Sequence, residues 1–478
     1  MEITLVGYIL IPVGLFAVIS ASRQKLLYLL IFFTPFTATA VVNFDNPHFG
    51  IQPAYFFGLL FMARTATDTA VKKVSFSIYK GQYQSILPFW LFTIVLLLSI
   101  LAIPVYGHME VYRPSGELEL LRFSQENLTQ FIYIIYVIGL TTSIGLFRIR
   151  PEQIDQILKL FIFSGLFVAL WGWLQVSMYY LGYSYPDFIF NNNNSFSQGF
   201  NQLFQTLGVK RMNSVAPEPS MLARFLLIPT FISFYCVYKK HFLFNKLTSI
   251  ILSVLFAFSL ICTTSSSAML YLIGGVPIFI LFTFISSRQW QVKRKTALSD
   301  RSKKTILTVL LLLAVFMAIL FGLLKWKFNF ELEDIIELLD IIILKKMESG
   351  SAHERLGGAL FGLKLFASHP LLGVGWGSNR TFDLLTNLLS TSGLFGIFFF
   401  MYAHVALAVK SKRLIRHLMR YGFYSLAGYP EVSLLVLIMI LFGKIISDPI
   451  LIFLDHWVIV GLLIACLRWQ TLFRYQSR

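Results

Sequence analysis

The chain has 478 residues, of which 56% are hydrophobic and only 13% charged, and its mean hydropathy is +0.71. A soluble domain carries about a quarter charged residues. A soluble enzyme, a disordered chain and a disulfide-stapled secreted scaffold are therefore excluded, which leaves a polytopic membrane protein.

Apolar runs long enough to span a bilayer, about 20 residues each, fall at roughly 3–20, 26–43, 51–63, 86–104, 130–147, 160–182, 219–238, 247–265, 268–286, 306–324, 385–408, 432–450 and 456–468. These thirteen candidates predict an all-α polytopic integral membrane protein of about 12–14 transmembrane helices. Alternate threading gives one side 27 of the 40 Lys and Arg with 5 acidic residues, and the other side 11 with 18 acidic residues. Arg224 and Lys444 fall inside spans. The positive-inside rule makes the basic side cytoplasmic, with the N-terminus outside and the C-terminus inside. The net charge of +17 is thus a topology signal, and no nucleic-acid partner is implied. The first span lacks a basic leader and reads as a retained helix.

The expected order is N-terminal spans over 1–182, a first large outer loop over 183–218, central spans over 219–324, a second large outer loop over 325–384, and C-terminal spans with a cytoplasmic tail over 385–478. The first loop holds the polar tract Asn191-Asn192-Asn193-Asn194-Ser195. In the second, residues 331–347 put Glu333, Glu337 and Asp340 on one helical face and Ile335, Leu338, Leu339 and Ile342 on another, which predicts an amphipathic helix, either along the membrane surface or binding a partner. An apolar helix is expected over Leu356 to Phe366, followed by a turn-rich stretch containing Gly373, Gly375 and Gly377. Those glycines do not form a nucleotide loop, since Ser378 stands where the dinucleotide fingerprint needs its last Gly. Cys236, Cys262 and Cys466 lie in spans as small hydrophobes. No Walker, zinc or nucleophile-elbow pattern occurs.

Arg224, one turn into a span, needs an anionic or carbonyl partner, because an unpaired guanidinium in hydrocarbon costs several kcal/mol. Either an internal ion pair or snorkelling satisfies it, or it binds a phosphate at the membrane surface. Arg211, Arg355 and Arg380 fall on the same outer face, where planar guanidinium forks suit phosphate better than Lys does. Glu218, between Pro217 and Pro219, is held in stiff backbone. It is either a reactive carboxylate expected close to Arg224 or a carboxylate complementing a helix N-terminus. His353 and Asp383 stand open between structural and substrate-contact roles. Lys444 and Asp448, one turn apart, read as an internal ion pair.

Several segments, in order and on the expected outer side, resemble the bacterial Wzy-type polysaccharide polymerases and O-antigen ligases, which are membrane glycosyltransferases. They are Arg211 through Arg224 with its Glu218-Pro219-Ser220, then Cys262-Thr263-Thr264-Ser265-Ser266-Ser267-Ala268, then Arg355 followed by His369-Pro370-Leu371-Leu372-Gly373-Val374-Gly375 and Ser392-Gly393-Leu394-Phe395-Gly396. The resemblance covers residues 205–400. It implies a GT-C-like membrane fold in the bacterial plasma membrane and an undecaprenyl-pyrophosphate-linked oligosaccharide as substrate at the outer leaflet. It also implies no cofactor and no obligatory metal, with a chain-length regulator and a flippase as partners beside the lipid bilayer. The ligase branch carries a His-Asn pair where this chain has Thr386-Asn387, which favours the polymerase branch and moves the expected base to Glu218. Arg211, Arg224 and Arg355 are then expected on the donor pyrophosphate, with Arg380, His353 and Asp383 as further substrate contacts. A lipid-linked oligosaccharide flippase is the rival from another class, disfavoured because the polar clusters concentrate at one face rather than at mid-membrane.

Overall fold

A computed structural model describes residues 1–20, 22–45, 48–71, 79–106, 109–113, 117–196, 203–204, 209–239, 242–291 and 350–472. The expected span at 306–324 and the amphipathic helix at 331–347 lie outside the described residues. The described chain is mostly helical: α1 (Leu5–Ser20), α2 (Arg23–Phe32), α3 (Pro53–Ala70), α4 (Lys80–Leu101), α5 (Gln125–Leu146), α6 (Pro151–Leu181), α7 (Pro219–Lys239), α8 (Lys246–Cys262), α9 (Ser266–Gln291), α10 (Gly350–Ser368), α11 (Leu384–Arg420), α12 (Tyr424–Ser447), α13 (Leu454–Cys466) and the short α14 (Trp469–Leu472). Among the described residues, seven helices are long and apolar enough to cross a membrane: α4, α5, α6, α7, α9, α11 and α12. The apolar helices α1, α8 and α13 are shorter.

Two expected spans differ. The run at 26–43 is helical only in α2, whose ten residues rise about 15 Å, half of a hydrocarbon core of about 30 Å. Hydropathy alone carried the run onward, but Pro35 has no amide hydrogen and disfavours helix at Thr34. The chain turns there and enters strand β2 (Val42–Asp45), which pairs antiparallel with β1 (Glu2–Ile3) and with β3 (His48–Ile51). The run at 51–63 continues as α3 through Arg64 and Asp68. Asp68 bridges Arg64 at 3.1 Å and Arg23 of α2 at 3.2 Å.

The described residues fall into two compact units. One takes Met1–Ser75 with Arg150–Ile343, the other Phe76–Ile149 with Leu344–Arg478. In the first unit α2 packs on α3 and α6, and α7 packs against α6, α8 and α9. Helix α7 is its centre: every residue from Leu222 to Val237 is buried, so its Phe, Leu and Ile side chains face protein on every side. In the second unit α4 packs along α11 and α5 along α13, while α12 and α10 lie against α11. The expected Lys444–Asp448 pair forms inside this unit at 3.1 Å, and Lys444 Nζ also donates to the Ile450 carbonyl.

Candidate functional site

In the first unit the chain between α6 and α7 is drawn into the protein. Met212, Asn213, Ser214, Val215 and Ala216 are buried without being helical. Backbone of this kind must find its hydrogen bonds within the protein. Gln175 on α6 supplies two of them. Its Oε1 accepts from the Asn213 and Ser214 amides at 3.1 and 3.0 Å, and its Nε2 donates to Asn213 Oδ1 at 2.6 Å. Ser214 takes φ +53 and is locked by its hydroxyl donating to the Val168 carbonyl at 2.7 Å. The Met212 amide donates to the Cys262 carbonyl at 3.1 Å.

The asparagine tract clamps the preceding part of the loop onto the β2–β3 hairpin. Asn192 Oδ1 accepts from the Ala40 amide at 2.9 Å, Asn194 Nδ2 donates to the Phe44 carbonyl at 2.9 Å, and Ser195 Oγ accepts from the Gly50 amide at 2.8 Å. Asn191 Nδ2 reaches the Ser214 carbonyl at 3.1 Å, which joins clamp and buried segment.

Arg211 stands at the edge of this seat. Its Nε donates at 3.2 Å to Oγ1 of Thr264, which lies in the short break between α8 and α9 and takes φ +47. Burial lowers the Arg211 guanidinium below its ordinary value, and the Glu218 carboxylate works against that shift, so the group stays a cation. Neighbouring Lys210 is buried with its Nζ 5.7 Å from the Tyr179 ring centroid. Burial lowers its ammonium and Asp187 opposes the change. Glu218 is exposed directly before Pro219, the first residue of α7. Its carbonyl takes the amides of Met221 and Leu222, and its Oε2 accepts from Ser220 Oγ at 3.1 Å.

Glu218 is thus an electrostatic partner of Arg211. Arg224 lies in the second turn of α7 and is buried.

In the second unit Arg355 and Arg380 share one aromatic ring. Their guanidinium carbons lie 5.8 and 5.0 Å from the Phe382 centroid. Arg355 is exposed on α10 and, among the described residues, makes no ion pair. Arg380 is tied to strand β4 (Glu110–Tyr112) through its amide, which donates to the Tyr112 carbonyl at 2.6 Å. The Tyr112 hydroxyl donates to Glu354 Oε1 at 3.2 Å. Desolvation first, then the Glu354 carboxylate, raise the Tyr112 phenol above its ordinary value. His353 is exposed in the first turn of α10. Asp383 is the N-cap of α11: Oδ1 accepts from the Thr386 amide at 2.9 Å, and the Thr386 hydroxyl donates to Oδ2.

The glycines between α10 and α11 have a backbone reason. Helix α11 breaks at Gly393, with φ 63 and ψ −161. In an unbroken helix the Leu394 and Phe395 amides would reach the Ser390 and Thr391 carbonyls. Here they go to Pro370 and Leu371 at 2.7 and 3.2 Å, while Ser390 and Thr391 accept from Val374 and Gly375 at 2.8 and 3.1 Å. The loop is inserted into the helix ladder, and four bonds replace two. A Cβ on Gly373 would stand 2.5 Å from the Ser390 carbonyl oxygen, so no larger residue fits.

Each unit therefore gathers part of the expected set: Arg211 with Glu218 in one, Arg355 with Arg380 near Glu354 and Asp383 in the other. Gln175, Tyr112 and Phe382 were not singled out from sequence, and Thr264 only as part of the segment Cys262 to Ala268. Gln175 left a signal, being a lone amide in the apolar run 160–182. Among the described residues no three His, Cys, Asp or Glu side chains converge as metal ligands. No protein-family model matches the sequence, and no curated protein matches it significantly.

Proposed function

We propose that this protein polymerises lipid-pyrophosphate-linked oligosaccharide repeat units into a surface polysaccharide at the outer leaflet of a bacterial plasma membrane. The observation that carries the proposal is the pairing of an exposed carboxylate, Glu218, with Arg211, a guanidinium seated on Thr264. Such a pair suits a single displacement. The acceptor hydroxyl oxygen forms a bond to the anomeric carbon as the bond from that carbon to the pyrophosphate oxygen breaks, and configuration inverts. Glu218 takes the hydroxyl proton, and the lipid pyrophosphate leaves with the bonding electron pair. Arginine cations offset its charge as it departs; in the unit that carries Glu218, Arg211 and Arg224 are assigned to it, and Arg355, Arg380, His353 and Asp383 stay candidate sugar or phosphate contacts of the other unit. The resemblance over residues 205–400 supports the same reading, since no nucleotide or cofactor motif competes with it.

The test is the glycan phenotype of a deletion strain complemented with variants. Loss of polymerisation leaves surface glycan capped with one repeat. Full-length chains stranded on carrier lipid would instead mean a ligase, and single repeats held inside would mean a flippase. In the same strain Glu218→Gln is expected to cut polymer formation by roughly 10²–10⁴-fold, the loss of a general base. Arg211→Lys is expected to be poor as well, because a point charge does not reproduce the fork. Near-normal polymer from a correctly inserted Glu218→Gln protein would remove Glu218 as the base.

A further inference from the structure

The second unit holds two histidines that the proposed reaction does not use. His404 of α11 is 3% exposed and His456 of α13 is 0% exposed. Their Nε2 atoms lie 2.9 Å apart and their rings stack at 5.1 Å between centroids. The wall around them is aromatic: Phe400 and Phe89 pack on His404, and Trp457 on His456. Imidazoles in such a wall need partners for their polar atoms.

His404 Nδ1 lies 2.8 Å from the Phe400 carbonyl oxygen. A carbonyl only accepts, so Nδ1 carries the hydrogen and the neutral ring offers a lone pair at Nε2. His456 must then donate its Nε2 hydrogen across the contact, which leaves the lone pair of neutral His456 on Nδ1. A further proton has two places to go. At His404 Nε2 it would set two N–H groups face to face. At His456 Nδ1 it leaves the contact whole and makes the N–H···N bond charge-assisted. His404 cannot pass a proton onward, because its other nitrogen faces a carbonyl.

The charged neighbours are few. Lys444 of α12 acts on His404 and is itself committed to Asp448 and the Ile450 carbonyl. Asp455 precedes His456, its Oδ1 accepting the His456 amide at 2.8 Å. From α4 the facing side chain is Phe89, and from α5 Thr141 bonds the Trp457 carbonyl at 3.2 Å. Ionisable groups inside a membrane bundle are costly and mark functional positions.

We propose that His404 and His456 form a buried proton-binding site that takes up one proton, at His456 Nδ1, and holds the resulting charge against His404 through their Nε2 contact. The test uses the full chain labelled with nitrogen-15 histidine in nanodiscs, the two rings being assigned among the eight histidines by the signals lost in His404→Gln and His456→Gln. The sample is titrated by NMR from about pH 8, above the ordinary imidazole range, down to the acid limit of folding. At the start His404 is expected as the Nδ1–H tautomer and His456 as the Nε2–H tautomer. On acidification His456 is expected to gain a second protonated nitrogen while the His404 Nδ1–H signal stays. His404→Phe, which removes the acceptor, is expected to lower the proton affinity of His456 about tenfold or more, the worth of a charge-assisted bond. Opposite tautomers, uptake at His404 Nε2, or no uptake before unfolding would each overturn the proposal, as would unchanged His456 titration in His404→Phe. If His404→Phe does not fold, the tautomers and titration of the wild-type rings decide.

Discussion

Replacing Gln175 by Leu tests whether the buried segment before α7 is held by one amide. The substitution preserves volume and apolar packing, so the effect isolates three hydrogen bonds: two from the Asn213 and Ser214 amides and one to Asn213 Oδ1. Asn213 and Ser214 are fully buried, so water cannot replace the lost partner. Interhelical side-chain bonds in membranes average only about 0.6 kcal/mol each, which would give about 2 kcal/mol for three. Two of these, however, satisfy backbone amides, and a buried donor left unmade costs about 1–3 kcal/mol. The orphaned amides decide the total, and a loss of roughly 3–6 kcal/mol is expected. Reversible unfolding in mixed micelles measures it, and polymer formation should fall with it because Arg211 sits two residues away. A loss under about 1 kcal/mol would refute the claim that Gln175 holds the segment.

Gly393→Ala should destabilise by about 2–5 kcal/mol: its φ of 63 and ψ of −161 are open essentially to Gly alone, and a Cβ there would stand 2.5 Å from the Leu371 carbonyl carbon. Thermal unfolding within about 1 kcal/mol of wild type would argue against the inserted loop. Asp383→Ala should cost about 0.5–2 kcal/mol through the lost cap, whereas Asp383→Asn should keep stability, so polymer lost in the Asn variant alone would reveal a substrate contact. His369, packed 4.1 Å from the Tyr106 ring, is lowered below its ordinary value of 6.5 by burial. The unfolded chain therefore binds its proton first, so this contribution to stability is complete above about pH 6.5 and is lost as pH falls through the lower folded value; His369→Gln should flatten that part of the acid profile. Thr264→Gly should leave stability equal or higher, by up to about 1–2 kcal/mol, while lowering polymer formation; reduced stability or unchanged activity would sink that idea.

Apolar length alone located α4 to α7, α9, α11 and α12, because each is a long run whose side chains all prefer lipid or protein to water. It failed at 26–43, where a summed hydropathy hides Pro35. The sequence left Asp383 open between structural and substrate-contact roles, because its cap exists only once α11 begins at Leu384, whereas the nearness of Arg211 to Glu218 was legible in their separation along the chain. The asparagine tract was visible as polar but not as a clamp, since the backbone it binds at Ala40 and Phe44 lies some 150 residues earlier. For the same reason the two units, each built from separated stretches of chain, leave no local mark. The positive φ of Gly373 and Gly375 was hinted at by their identity, whereas that of Thr264 ran against its identity.

That last conflict bears on function. A β-branched residue at φ +47 is held where its side chain crowds the backbone, at a cost of about 1–3 kcal/mol. Local preference would place Gly or Asn there, so the Thr needs a local use. Its hydroxyl donates to the Thr263 carbonyl at 2.8 Å and accepts from Arg211 Nε at 3.2 Å. The strain therefore holds one oxygen in position, and that oxygen orients a guanidinium beside Glu218. Were Thr264 merely a turn residue, Gly would do the turn better and nothing else would change. If it seats Arg211, Gly should relax the backbone while freeing the guanidinium. Asn, which tolerates left-handed backbone and carries a side-chain oxygen, should recover part of the lost activity. Stability and activity moving in opposite directions at one residue would be the mark of a positioning role, since a purely structural residue moves both together.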